Sequence, residues 1–141
     1  MHKIITFFAI FFISTSLFSQ SILGKWMTID AQDGAKAKSI VEIYEQDGKV
    51  FGKIVEIFND EDKDALCTKC EGDEYNQPVL GLVLIKNMIK IGKYYKKGTI
   101  FHPEHGKKFR CRLKLTEDPD VLQVRGYVAF LYATQYWLRV D

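Results

Sequence analysis

Tyr136-Trp137-Leu138-Arg139-Val140-Asp141 ends the chain, and Gly24-Lys25-Trp26 opens its first strand-like run. A Gly-x-Trp on a first strand and an arginine on a last strand express one physical idea. The two strands meet, and the guanidinium lies over the indole to plug one end of a closed β-barrel. Gly24, Trp26 and Arg139 are therefore assigned to barrel closure.

The stretches between these ends read as the hairpins that complete the barrel. Residues 22–29 form a short first strand, and Asp-Gly with small polar residues over 30–38 marks a turn. Residues 39–45 are rich in β-branched side chains and residues 50–58 alternate well, with Asp47-Gly48 between them. Two such runs about an Asp-Gly pair are the strongest hairpin signal in the chain. Residues 59–78 carry no apolar periodicity and form a connection long enough to be either functional or tied down. Strand character returns at 79–86 and more weakly, as strand or turn, at 88–93.

Residues 97–101 and 107–116 flank the loop His102-Pro103-Glu104-His105-Gly106. In the second arm Phe109, Cys111, Leu113 and Leu115 share one face, and Lys108, Arg110, Arg112 and Lys114 the other, a period-two alternation with its polar side outward. Residues 121–131 and 134–140 make the last pair. No stretch after residue 20 shows helical periodicity. The prediction is an all-β fold, a single antiparallel barrel of about eight strands, whose interior side chains either nearly fill or leave open for one small ligand.

The front of the chain is different. Lys3 precedes an apolar run from Ile4 to Phe18, which gives way to Ser19-Gln20-Ser21. A charged start, an apolar stretch and a small residue at a cut site read as a signal peptide over 1–19. The run is short for a membrane span of ~20 residues, and no basic stop-transfer cluster follows it. The expectation is an exported protein, periplasmic or secreted, with no membrane span in the mature part. Residues 20–141 then form one domain with one core. A net charge of +2 gives no general case for nucleic acid. The charge is uneven, acidic over 60–74 and basic over 86–114, as solvated loops and outward strand faces produce.

Several separate motifs fall in one order along this frame: Gly24-x-Trp26, Lys38-Ser39-Ile40-Val41-Glu42-Ile43-Tyr44, Asp64-Ala65-Leu66-Cys67-Thr68-Lys69-Cys70-x-Gly72-Asp73, Pro78-Val79-Leu80-Gly81, Pro103-Glu104-x-Gly106-Lys107, Val124-Arg125-Gly126-Tyr127 and Thr134-Gln135-x-Trp137-x-Arg139-Val140. Together they resemble the DUF2147 family of small exported bacterial proteins. The resemblance covers nearly the whole of the chain after residue 20. It implies a lipocalin-like barrel outside the cytoplasm and brings no activity, since the family is named for having none known. The chain departs from the family pattern at His102, where an aspartate more often opens the turn, so no carboxylate role carries over to that position. The Gly-x-Trp and terminal arginine also look like the corresponding pair in lipocalins and fatty-acid-binding proteins, which invites ligand binding by analogy of fold.

Cys67-Thr68-Lys69-Cys70 is the sharpest local signal. A Cys-x-x-Cys in an oxidising compartment is a local disulfide, a redox dithiol or half a metal site. A redox dithiol is favoured at a helix N-terminus, where the dipole lowers the thiol pKa, and this pair sits in an acidic loop instead. The favoured pairing is Cys67 with Cys70, leaving Cys111 a buried free thiol; Cys111 with one loop cysteine is the competitor.

Asp60, Asp62, Asp64 and Glu71 have the carboxylate spacing of an EF-hand loop and form a calcium candidate, although Ala65 stands where a glycine is needed and the flanks read as strands. His102 and His105 share a face only if their backbone is helical, which Pro103 and Gly106 argue against. Ser21 and Ser39 lie in no nucleophile elbow, and no glycine-rich loop opens a helix.

These residues predict a protein that is not an enzyme, needs no cofactor and binds a small, mostly apolar ligand. Trp137, Gln135, Tyr127 and Arg125 are the candidate cavity residues, and alternation puts Gln135, Trp137 and Arg139 on one inward face. The alternative is an envelope interaction protein with the acidic, disulfide-pinned loop as its contact surface. Ligand identity, oligomeric state and protein partner leave no mark in the sequence.

Overall fold

The computed structural model describes residues 9–10, 21–29 and 36–140. The segment read as a signal peptide therefore lies outside the described residues except for Ala9 and Ile10, as does most of the turn at 30–38. Among the described residues, no helix is long and apolar enough to cross a membrane.

Eight strands follow one another: β1 (Gly24–Ile29), β2 (Ala37–Gln46), β3 (Lys49–Ile57), β4 (Val83–Ile91), β5 (Tyr94–His102), β6 (Lys107–Leu115), β7 (Val121–Val128) and β8 (Leu131–Val140). Each pairs antiparallel with its sequence neighbours, and β8 returns to β1, so the sheet closes into a barrel. The β2–β3 turn is the Asp47-Gly48 pair, with φ of 53° and 75°, the doubly left-handed geometry that suits a two-residue hairpin. On β6, Cys111 and Leu113 are buried while Lys108 and Arg110 are exposed, as the alternation requires.

One end of the barrel is solid. Trp26 pairs in register with Arg139, and the guanidinium carbon lies 4.3 Å from the indole centroid. Arg139 donates to the carbonyls of Ser21 at 2.7 Å, Leu23 at 3.3 Å and Pro119 at 3.1 Å, and its Nε lies 3.3 Å from Asp120 Oδ1. The indole N–H of Trp26 donates to the Ile22 carbonyl at 2.8 Å. Thus the arginine ties the chain entering β1 to the β6–β7 turn across the face of a fully buried tryptophan. Gly24 sits at φ +127°, and a side chain there would stand 3.5 Å from the Arg139 Nη1. Ile43, Val50, Met88, Leu113 and Leu122 are buried and join Trp26 in the core.

The fourth and fifth strands differ from the sequence reading. The runs at 79–86 and 88–93 are not two elements: β4 spans both from Val83, and residues 79–82 belong to the preceding connection. The reason is a bulge. Asn87 has φ 61°, which breaks the alternation and lets both Ile85 and Met88 point inward although they are three apart. Opposite it, Lys97 has φ 68° and the β5–β6 register shifts between Tyr95 and Gly98, so β5 begins at Tyr94, earlier than its weak apolar pattern shows. Gly98 lies against the bulge: a side chain there would come within 2.2 Å of the Lys86 carbonyl oxygen and 2.4 Å of the Met88 sulfur.

Candidate functional site

The end opposite the plug is open. Between it and the packed floor lies a cavity of about 700 Å³. Its walls are apolar: Val41 from β2, Ile54 and Ile57 from β3, Leu84 from β4, Ile100 and Phe101 from β5, Phe109 from β6, Val124 from β7 and Trp137 from β8. Most of these come from the inward half of each strand's alternation, with the adjacent Ile100 and Phe101 near the end of β5 as the exception, so apolar positions far apart in sequence meet here.

Few polar groups reach the interior. Thr28 and Ser39 are buried and pair hydroxyl to hydroxyl at 2.8 Å, so that wall is satisfied within itself. Gln135 and Trp137 both line the cavity, and the indole N–H of Trp137 donates to Gln135 Oε1 at 3.1 Å. These two predicted residues are where alternation places them.

Arg125 and Tyr127 are not. The inward residues of β7 are Leu122, Val124 and Gly126, so positions 125 and 127 face outward and line no part of the cavity. Arg125 donates through Nε to Thr134 Oγ1 at 2.8 Å and lies 4.4 Å from the Tyr132 ring centroid, while Tyr127 packs at 6.0 Å from Tyr132. Their role is an outer-surface ladder across β7 and β8.

The mouth is covered in part by the long connection, residues 58–82. Cys67 and Cys70 form a disulfide, both are buried, and Cys111 is a buried free thiol. The loop is tied to itself through Cys67 N–H to the Gln77 carbonyl at 2.7 Å, Asn76 N–H to the Cys67 carbonyl at 2.9 Å and a bridge between Leu66 and Pro78. Ala65, Leu66 and Val79 of this flap close over the cavity. Burial pushes the Cys111 thiol up to about 12, which removes it as a nucleophile near neutral pH. Cys111 should therefore resist iodoacetamide at pH 8 in the folded protein and react once urea unfolds it, as peptide mass spectrometry reads directly. Rapid labelling of the native protein would mean that β6 opens.

Acidic residues of the flap do not gather. Asp60 pairs with Lys63 at 2.6 Å, and this partner holds its carboxyl below the usual range. Among the described residues, Asp60, Asp62, Asp64 and Glu71 form no group of three with donor atoms in reach of one cation. The EF-hand spacing fails because that geometry needs a glycine-centred loop between two helices, and the segment here is a run of turns leading from β3 into the disulfide.

The histidines do meet, against the sequence expectation. His105 and Gly106 N–H both donate to the His102 carbonyl, at 3.2 and 2.8 Å, so the β5–β6 turn closes as a single helix-like turn with Pro103 at its first position, where its fixed φ is accommodated. The two imidazoles stack with centroids 4.4 Å apart, and donor atoms of His102, Glu104 and His105 all lie within 4.8 Å of one another. Glu104 Oε1 also pairs with Lys38 Nζ at 2.5 Å, and this hydrogen bond holds the Glu104 carboxyl low. Burial, the neighbouring His105 and Lys38 hold His102 below its usual value. His102, Glu104, Lys38 and Lys69 rim the cavity mouth. The signal for this cluster in the sequence was its count of donors on one short loop; the turn conformation that joins them was not readable.

A closed eight-stranded antiparallel barrel, plugged by tryptophan and arginine and hollow toward one mouth, is a lipocalin-like barrel. The family model described as "Uncharacterized protein conserved in bacteria (DUF2147)" matches residues 24–139, and the chain belongs to that family. A solved structure similar to it is protein HP1028 from the human pathogen Helicobacter pylori, described as belonging to the lipocalin family. That likeness has a TM-score of 0.74 and 21% identity, over 86% of this chain and 84% of the other. No curated protein matches the chain.

Proposed function

We propose that this is an exported, non-enzymatic protein that holds one small, mostly apolar molecule inside its barrel. The observation that carries the reading is the cavity: about 700 Å³, open at one end, walled by aliphatic and aromatic side chains. That volume lies within the ~300–1,000 Å³ of small-molecule sites, and a few convergent polar groups on apolar walls are what such sites present. Gln135 and Trp137 fix orientation inside; the lysines and imidazole of the rim meet the ligand's polar end. Cys111 is too deeply buried to act as a nucleophile, which supports a binding reading.

The first test is native mass spectrometry of the protein purified gently from its own source. A bound small-molecule mass supports a carrier and gives the ligand class. The second uses an apolar fluorophore, N-phenyl-1-naphthylamine. Ala133 lines the mouth and is exposed, so Ala133→Trp narrows the entrance at little cost in stability. Fluorophore affinity should fall by more than about tenfold. Equal affinity in the two proteins would remove the cavity as the binding site. A bare mass together with no fluorophore uptake would favour the alternative, in which the exposed acidic residues of the flap form a protein-contact surface.

A further inference from the structure

We propose that His102, Glu104 and His105 form a binding site for one divalent transition-metal ion of the zinc class, at the rim of the cavity mouth. This goes beyond the ligand reading and stands without it. Two imidazoles and a carboxylate are the donor set of three-ligand zinc sites, which leave a fourth position open. An all-oxygen cage, as calcium or magnesium prefers, is absent from this turn.

Three observations converge on the site. Donor atoms of the three residues already lie within 4.8 Å of one another, before any ion draws them in. The turn that carries them is fixed from several sides: by the His105 and Gly106 N–H bonds to the His102 carbonyl, by the flanking β5 and β6 strands, and by Lys69, whose Nζ donates to the Glu104 carbonyl at 2.8 Å. Finally, Nδ1 of His102 is buried and meets no hydrogen-bond partner among the described residues. A buried nitrogen without a partner is costly, and a bound cation supplies one once the stacked rings turn their nitrogens toward it. His105 and Glu104 are exposed, so an ion can reach the group from solvent.

Two ammonium groups stand near the ion's place: Lys69, on the Glu104 carbonyl, and Lys38, on its carboxylate. Lys38 holds Glu104 Oε1 at 2.5 Å, and its charge repels a cation. Metal binding must displace that ammonium or share the carboxylate with it. This gives the site a signed prediction that a chance cluster of surface donors does not share: removing Lys38 should strengthen binding.

The test is calorimetric titration of the untagged mature protein with zinc chloride, after treatment with a chelator. The expected result is one saturable site per chain, weakened more than about tenfold in His102→Ala and in His105→Ala. In Lys38→Met the same titration should show tighter binding, by a few-fold or more. Binding retained by the His102→Ala/His105→Ala double variant, or no saturable binding by the unsubstituted protein, overturns the site. Should the alanine variants fail to fold, imidazole resonances of the unsubstituted protein decide. Zinc must shift the ring signals of both His102 and His105, and signals left in place overturn the proposal.

Discussion

Trp26→Ala is expected to lower the unfolding free energy by about 3–5 kcal/mol and the midpoint of thermal unfolding by more than about 10 °C. Trp26 is fully buried, so its removal takes a large apolar surface out of the core and leaves a cavity that neighbouring strands, held in a closed ladder, cannot collapse to fill. The loss extends past the indole. Arg139 would lose the ring it lies on at 4.3 Å, and with it the surface that steadies its bonds to Ser21, Leu23 and Pro119. Ile22 would also keep its carbonyl but lose its donor. Trp26→Phe separates these effects, since it keeps most of the apolar volume and removes the N–H; it should cost less than half as much. Differential scanning calorimetry of the three proteins is the measurement. An unchanged melting curve for Trp26→Ala would mean that the end of the barrel is held by something other than its plug.

Gly98→Ala comes next, with an expected cost of about 3 kcal/mol from one added methyl group. The site is not one of backbone freedom but of room. The methyl would stand 2.2 Å from the Lys86 carbonyl oxygen and 2.8 Å from the Asn87 carbonyl carbon, both backbone atoms that cannot swing aside. The strands β4 and β5 must then separate where their facing bulges interlock, and Met88, fully buried beneath them, must move with them. Gly126→Ala is the control on the same sheet, because a methyl there meets its nearest neighbour at an ordinary 3.5 Å. Urea unfolding of both variants should show a midpoint drop in Gly98→Ala several times that in Gly126→Ala. Equal drops would show that β4 and β5 part easily, and that the bulge is a soft joint.

The parts of the fold that could be read from sequence are those set by local chemistry. The Asp47-Gly48 turn, the alternation on β6 and the Cys67–Cys70 pairing each depend on residues within a few positions of one another. Barrel closure was legible for another reason: tryptophan and arginine are large and chemically matched, so the pairing of residues 26 and 139 shows across the whole chain. The bulges at Asn87 and Lys97 were hidden because a single left-handed residue leaves no apolar signature. The outward facing of Arg125 and Tyr127 is set by their own strand. Leu122 and Val124 already set the inward phase of β7, and odd positions there must face out. The meeting of His102 with His105 was hidden because a proline reads as a helix breaker, whereas at the first position after the accepting His102 its fixed φ suits a single helix-like turn.

The closure of β1 on β8 has a consequence for the life of the chain before it is folded. Seven of the eight strand pairings join neighbours in sequence, and one joins the two extremes. Each hairpin can zip as it emerges, but until β8 arrives the growing sheet has two raw margins of unpaired amides, one on β1 and one on whichever strand came last. Such margins are templates for pairing with another chain. The last ten-residue strand, from Leu131 to Val140, therefore decides whether the sheet closes on itself or stays open to another chain. A nascent or clipped chain that lacks it keeps the β1 margin bare, whereas in the finished one residues 25–27 are paired with 138–140.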